Sequence, residues 1–292
     1  MSLNKYPILY LFRGLIHTHD NSLMARISVI MGIYNCASTL VEALDSLYAQ
    51  TYQGFKIILC EDGSTDDTYD VAQRYASQHD NIILIRNERN MGLNYTLNRC
   101  LERADTEYVA RMDGDDISLP ERFEKEISFL DEHPEYDIVS SPMIYFDEHG
   151  DYKVGVANGE PDKLSFVFGS PFCHAPSMIR TAVIKKVGGY SVEKKLLRIE
   201  DYHLWTKIYV AGHKGFNISI PLYKMRDDRF AAKRRTFQAR LNSTRARLRA
   251  YKELGIPWRY YPCAFLPVLI GFLPNWLYIL LRDIKNRHHE YN

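Results

Sequence analysis

Short apolar runs and helix-spaced apolar positions alternate along the first 130 residues. Arg26-Ile27-Ser28-Val29-Ile30-Met31, closed by Gly32, reads as a buried strand. Ser38-Thr39 offers a helix N-cap, and Leu40, Ala43, Leu44 and Leu47 then recur at helical spacing. Phe55 to Cys60, Ile82 to Ile85 and Tyr108 to Met112 predict three further strands. Helices are predicted between them, one capped by Thr65-Asp66-Asp67 and carrying Val71, Ala72 and Tyr75, the other opened by Gly92 and carrying Leu93, Leu97 and Leu101. Such alternation implies an α/β fold with a parallel sheet and helices on both faces. A sheet of this kind binds its ligands at the C-terminal ends of the strands.

Beyond Pro120 the pattern is mixed. Phe123, Ile127 and Leu130 predict a helix ending before Pro134, Ile138 to Ser141 and Ser177 to Ile179 read as strands, and Gly188-Gly189-Tyr190 as a turn. Glu200-Asp201 precede an amphipathic stretch from Tyr202 to Val210. Three divisions follow: an N-terminal extension over 1–24, a catalytic domain over 25–225, and a basic, apolar, helical region over 226–292. The extension lacks the apolar core and cleavage site of a signal peptide, and the fold is expected not to need it.

Composition narrows the classes. Hydrophobic residues make up 46 % of 292, enough for a sizeable core. Lys and Arg number 37 against 36 acids, a balance with no footprint for nucleic acid. Five scattered cysteines, Cys36, Cys60, Cys100, Cys173 and Cys263, form no CxxC and fit a reducing, cytoplasmic compartment. Neither GxGxxG nor GxxxxGK[ST] occurs, which disfavours dinucleotide oxidoreductases and P-loop NTPases.

Three polar clusters fall at predicted strand ends: Tyr34-Asn35, Glu61-Asp62-Gly63-Ser64 and Asp113-Gly114-Asp115-Asp116. Carboxylates one residue apart on a loop can aim at one point, and their hard oxygens suit Mg²⁺ or Mn²⁺; a solvated turn is the alternative. Asp62 can accept hydrogen bonds from a nucleoside, and Gly63 permits close backbone approach; the alternative is a helix-entry turn capped by Ser64 or Thr65.

The ordered set of Val29 to Asn35, Glu61 to Asp66, Asn87 to Gly92 with Asn98, Asp113 to Ile117 with Pro120-Glu121-Arg122, and Glu200-Asp201 resembles glycosyltransferase family 2 over residues 26–225. The resemblance implies a GT-A fold, a nucleotide-sugar donor (often a UDP-sugar), a divalent metal, Mn²⁺ or Mg²⁺, and inversion at the anomeric carbon. It implies that Asp62 holds the uridine, that Tyr34, Asn35, Glu61 and Gly92 frame the donor pocket, and that Asp113 and Asp115 form the metal-binding DxD pair. By the same resemblance Asp115 is expected to be the direct ligand. The resemblance also implies that Asp201 is the catalytic base, with Glu200 beside it near the acceptor. His174, in a Pro-flanked loop, is a candidate for touching phosphate or acceptor, with a structural histidine as the alternative. The QxxRW pattern of processive members is absent, since Tyr202-His203-Leu204-Trp205 follow Asp201. One hexosyl transfer per encounter is therefore expected.

Residues 224–259 hold twelve basic residues against Asp227, Asp228 and Glu253, and Tyr260 to Leu281 carry no formal charge. Pro262, Pro267 and Pro274 argue against a regular spanning helix there. An interfacial, membrane-proximal tail is expected, with Tyr260, Tyr261, Trp276 and Tyr278 at headgroup level; a helix packed on the catalytic domain and a true span are the alternatives. Since family members with such tails commonly act in surface polysaccharide synthesis, the resemblance implies that role (O-antigen, capsule, exopolysaccharide) on glycan or polyprenyl-diphosphate-linked acceptors, and a peripheral place on the inner face of the cell membrane is expected. Two other readings compete with this one. A sugar-nucleotide nucleotidyltransferase needs a Gly-rich basic loop after the first strand, which Gly32-Ile33-Tyr34-Asn35 lacks; a non-catalytic nucleotide-sugar-binding scaffold needs no intact acids at 62, 113, 115 and 201.

Overall fold

The computed structural model describes residues 25–157, 159–193, 196, 199–227 and 236–272. The expectations for 1–24, Trp276 and Tyr278 lie outside them, as do the basic positions between 228 and 235.

The elements in chain order are β1 (Ile27–Ile33), α1 (Leu40–Tyr48), β2 (Phe55–Glu61), α2 (Thr68–Ala76), β3 (Ile82–Arg86), α3 (Leu93–Arg103) and β4 (Tyr108–Met112). Then follow β5 (Ile117–Ser118), α4 (Arg122–Glu132), β6 (Ile138–Ser140), β7 (Met143–Asp147), β8 (Gly150–Val154), α5 (Ser165–Phe168), β9 (Met178–Arg180) and α6 (Thr181–Lys186). The last are α7 (Glu200–Val210), β10 (Gly215–Asn217), β11 (Tyr223–Arg226), α8 (Phe237–Leu254), a 3-10 helix (Trp258–Phe265) and α9 (Leu266–Gly271).

A seven-stranded sheet runs β10-β6-β9-β4-β1-β2-β3. It is parallel throughout except for β9, which lies antiparallel between β4 and β6. β1 and β2 are buried along nearly their whole length, as expected of strands covered on both faces. Two apolar clusters sandwich the sheet: Ile30, Ile58, Leu97 and Trp205 belong to one, and Val29, Ile57, Leu44 and Phe123 to the other. The expected α/β, mostly parallel architecture is the one observed.

Three features were not foreseen. A second sheet, ordered β5-β11-β7-β8, brings β11 beside the segment after β4. Glu200 and Asp201 form the first turn of α7 rather than preceding it. That helix is not amphipathic in place: Tyr202 to Thr206, Ile208 and Tyr209 are all buried. The reason is α8, which packs on α7 and contributes Ala246, Ala250, Tyr251 and Leu254 to the same core. The uncharged tail breaks into the 3-10 helix, which contains Pro262, and the short α9. Among the described residues, no helix is long and apolar enough to cross a membrane.

Candidate active site

The strand order β4-β1-β2 sets three loops side by side, and the pairings Ile33↔Glu61 and Met31↔Met112 bring their ends level. Asn35 takes a left-handed conformation (φ 49°). Its amide donates to Ser64 Oγ at 3.0 Å, and its Oδ1 accepts from the Thr65 amide at 2.9 Å. Tyr34, beside it, is exposed. The β1 and β2 loops therefore form one surface.

Beneath that surface the two acids of the second loop are buried. Glu61 accepts from the Ser64 amide and, at 3.1 Å, from Arg86 Nε. Asp62 accepts from Asn87 Nδ2 at 2.6 Å, from the Met91 amide at 2.8 Å and from the Gly92 amide at 2.9 Å. Gly92 stands at the N-terminus of α3 with φ 90°. Both carboxylates thus pin the loop walls. The close approach that Gly63 permits is to its own chain, since a Cβ there would lie 2.5 Å from the Arg89 carbonyl carbon.

The acidic run occupies the loop between β4 and β5. Oxygens of Asp113, Asp115 and Asp116 all lie within 4.8 Å of one another. Asp113 is ion-paired with Arg111, and its amide donates to the Tyr223 hydroxyl at 3.2 Å. Asp116 is buried and accepts from the Arg226 amide at 2.7 Å. Arg226 Nε donates to the Asp115 carbonyl, and its guanidinium pairs with Glu42 at 2.6 Å. Gly114 is packed so closely that a Cβ would come 2.8 Å from Cys36 Sγ. Desolvation and the Asp113 and Asp115 charges push Asp116 up to about 8; desolvation and Asp113 push Asp115 upward too. Crowded hard carboxylate oxygens of this kind fit a divalent cation, whose charge would relieve the repulsion.

Two groups had no role assigned from the sequence. Arg111 is buried among these acids, and its Nε has no hydrogen-bond partner among the described residues. Its charge reaches Asp113, Asp115, Asp116, Asp201 and His174. A lone arginine inside an apolar strand was the available signal, because a buried charge needs partners. Arg122, fully buried, donates from one nitrogen to the carbonyls of Arg111, Ala175 and Ser177, tying the acidic loop to the segment that carries His174.

His174, Tyr190 and Asp201 also lie within electrostatic reach of Arg111. His174 Nε2 lies 2.8 Å from the Tyr190 hydroxyl, and burial keeps the ring neutral by holding its pKa well below the usual value. The Tyr190 hydroxyl feels the charges of Arg111, Glu200, Asp201 and Asp113, so the proposed base and the acidic run face one locality. Burial pushes the Asp201 carboxyl up, against the pull of the Tyr202 amide and the Ser170 hydroxyl.

Fold and site together define a GT-A glycosyltransferase. Among solved structures, TarS of S. aureus in complex with UDP-GlcNAc superposes with a TM-score of 0.66 at 21 % identity, over 84 % of this chain and 71 % of that one. Mannosyltransferase PcManGT from Pyrobaculum calidifontis, in complex with GDP-Man and Mn²⁺, gives 0.59 at 17 %, over 91 % and 81 %. The family model for glycosyl transferase family 2 matches residues 28–188, and the chain belongs to that family. Relatives include EpsE of Bacillus subtilis (strain 168), named as a glycosyltransferase, 37 % identical over 91 % of this chain and 93 % of its own length. Another is a UDP-Gal:alpha-D-GlcNAc-diphosphoundecaprenol beta-1,3-galactosyltransferase of Escherichia coli, 33 % identical over 72 % of this chain and 77 % of its own length.

Proposed function

We propose that this glycosyltransferase is inverting and metal-dependent, and moves one hexosyl group from a nucleotide-diphosphate sugar, a UDP-sugar by preference, to a hydroxyl of a glycan or polyprenyl-diphosphate-linked acceptor. The setting is surface polysaccharide synthesis at the inner face of the cell membrane. The observation that carries the reading is the pairing of two acidic centres about Arg111: the crowded Asp113, Asp115 and Asp116, and a separate, half-buried Asp201. The donor and acceptor named for the E. coli relative, and the UDP-GlcNAc bound in the TarS complex, support the donor and acceptor classes.

Asp115, helped by Asp113 and with Asp116 behind it, would hold Mn²⁺ or Mg²⁺. A cation there supplies Lewis-acid stabilisation of charge developing on the leaving diphosphate, worth several kcal/mol. Arg111 keeps Asp113 oriented and adds positive charge beneath the same oxygens. Tyr34 and Asn35 form the exposed edge of the nucleoside pocket, with Glu61, Asp62 and Gly92 holding its walls. Asp201 takes the proton of the acceptor hydroxyl as the oxygen–C1 bond forms. The C1–phosphate oxygen bond breaks in the same step, and its electron pair leaves with the nucleoside diphosphate. General-base assistance of this kind contributes roughly 10²–10⁴-fold. Glu200 and the neutral His174 flank the acceptor.

Asp201→Asn is expected to abolish transfer while leaving Mn²⁺-dependent UDP binding, measured by calorimetry, close to wild type. In the wild type, the acid limb of kcat/KM should lie above the ~3.9 of an unperturbed aspartate, because the base acts only when ionised. Near-normal turnover in Asp201→Asn removes Asp201 as the base. Activity that survives chelation removes the metal.

A further inference from the structure

The C-terminal segment turns an apolar face to solvent. Trp258, Pro262, Phe265, Leu269 and Phe272 are spaced by four, three, four and three residues along the 3-10 helix and α9. All five are exposed, Trp258 at 84 % and Phe272 at 71 %, while Ala264 on the opposite side is buried against the core. With Leu248 and Tyr261, four of them line an open groove of about 710 Å³. A continuous exposed apolar surface on a folded chain marks a contact site.

Charge decides which contact. Residues 236–272 contain Arg240, Arg245, Arg247, Arg249, Lys252 and Arg259 against the single acid Glu253. Glu253 pairs with Arg249, which also reaches Glu193; Arg245, Lys252 and Arg259 are exposed and form no ion pair among the described residues. A second copy meeting this face with its own would set cation against cation. Apolar and aromatic side chains framed by unpaired cations match an anionic lipid surface instead.

The face is tied to the acceptor side of the site. The short α5 packs against both α8 and the 3-10 helix, and the Val167 carbonyl accepts from Arg247 and Tyr251. The Phe166 carbonyl accepts from the Tyr202 hydroxyl, next to Asp201, and Phe168 stands 75 % exposed two residues before Ser170. We infer that the Trp258–Phe272 face docks on an anionic bilayer, with Phe168 and the Asp201 side of the site turned toward the membrane. This deepens the membrane part of the proposed function and rests on it only for the meaning of that orientation.

The test is flotation of the full chain with phosphatidylglycerol vesicles and with phosphatidylcholine vesicles. The wild type should float with the anionic vesicles, less so as salt is added. Trp258→Ser with Leu269→Ser should lower recovery about tenfold or more, and Arg259→Glu should remove the preference for phosphatidylglycerol. Because these positions are exposed, thermal melts and Mn²⁺-dependent hydrolysis of the donor without acceptor should be unchanged. Unaltered recovery in the double variant overturns the inference, as when residues 273–292 bind the membrane by themselves or fill the groove. A wild-type dimer in sedimentation that the double variant dissolves also overturns it, in favour of a second copy. Donor hydrolysis reports on the proposed function separately, so loss of one leaves the other standing.

Discussion

Gly63 carries two demands at once: φ of +68°, and backbone atoms of Arg89 and Asn90 within 2.7 Å of where a Cβ would sit. The neighbouring loop is held at that distance by the Asp62 bonds to Met91 and Gly92. Gly63→Ala should therefore cost about 1–3 kcal/mol of stability, read from urea unfolding, and should weaken donor binding with it. A loss within the error of the melt would show that the loop moves aside. The need for a glycine here was legible from the sequence, but the atoms it makes room for were not. Asp116 is similar: it had no role on sequence grounds, and in the fold it receives the Arg226 amide from a strand 110 residues further on. Contacts at that separation leave no local trace.

Elements were legible where their burial follows one rule along their length. β1, β2 and β4 are apolar because both faces are covered, and α1 and α3 show helical spacing because one face is. α7 broke the rule because α8 closes over its outer side. Trp205, fully buried there, packs edge-on against Phe172 and His174. Trp205→Ala should cost about 3–5 kcal/mol in thermal or urea melts. It should also lower kcat by loosening the first turn that holds Asp201; a change in KM alone would place the effect elsewhere. β10 and β11 were hard to read for a different reason: each is three or four residues long, too short for a period to declare itself.

At the scale of the whole molecule, the division near residue 225 falls within β11, and α8 shares its buried face with α7. Residues 26–272 should consequently unfold in one transition, with the same midpoint by tryptophan fluorescence as by loss of UDP binding; two separated midpoints would make the C-terminal helices an independent unit. What the sequence by itself determined was the strand–helix order, the acids at the strand ends and the cationic, proline-broken tail. Those follow from hydrophobic period, turn chemistry and composition, which act over a few neighbouring residues. Only the tertiary structure decided that Arg111 lies within electrostatic reach of both the acidic run and Asp201, that Asp62 and Glu61 brace loops, and that the tail turns one apolar stripe outward beside α5. Each of those depends on which distant surfaces pack together, and burial of charge and apolar area selects that arrangement over the chain as a whole.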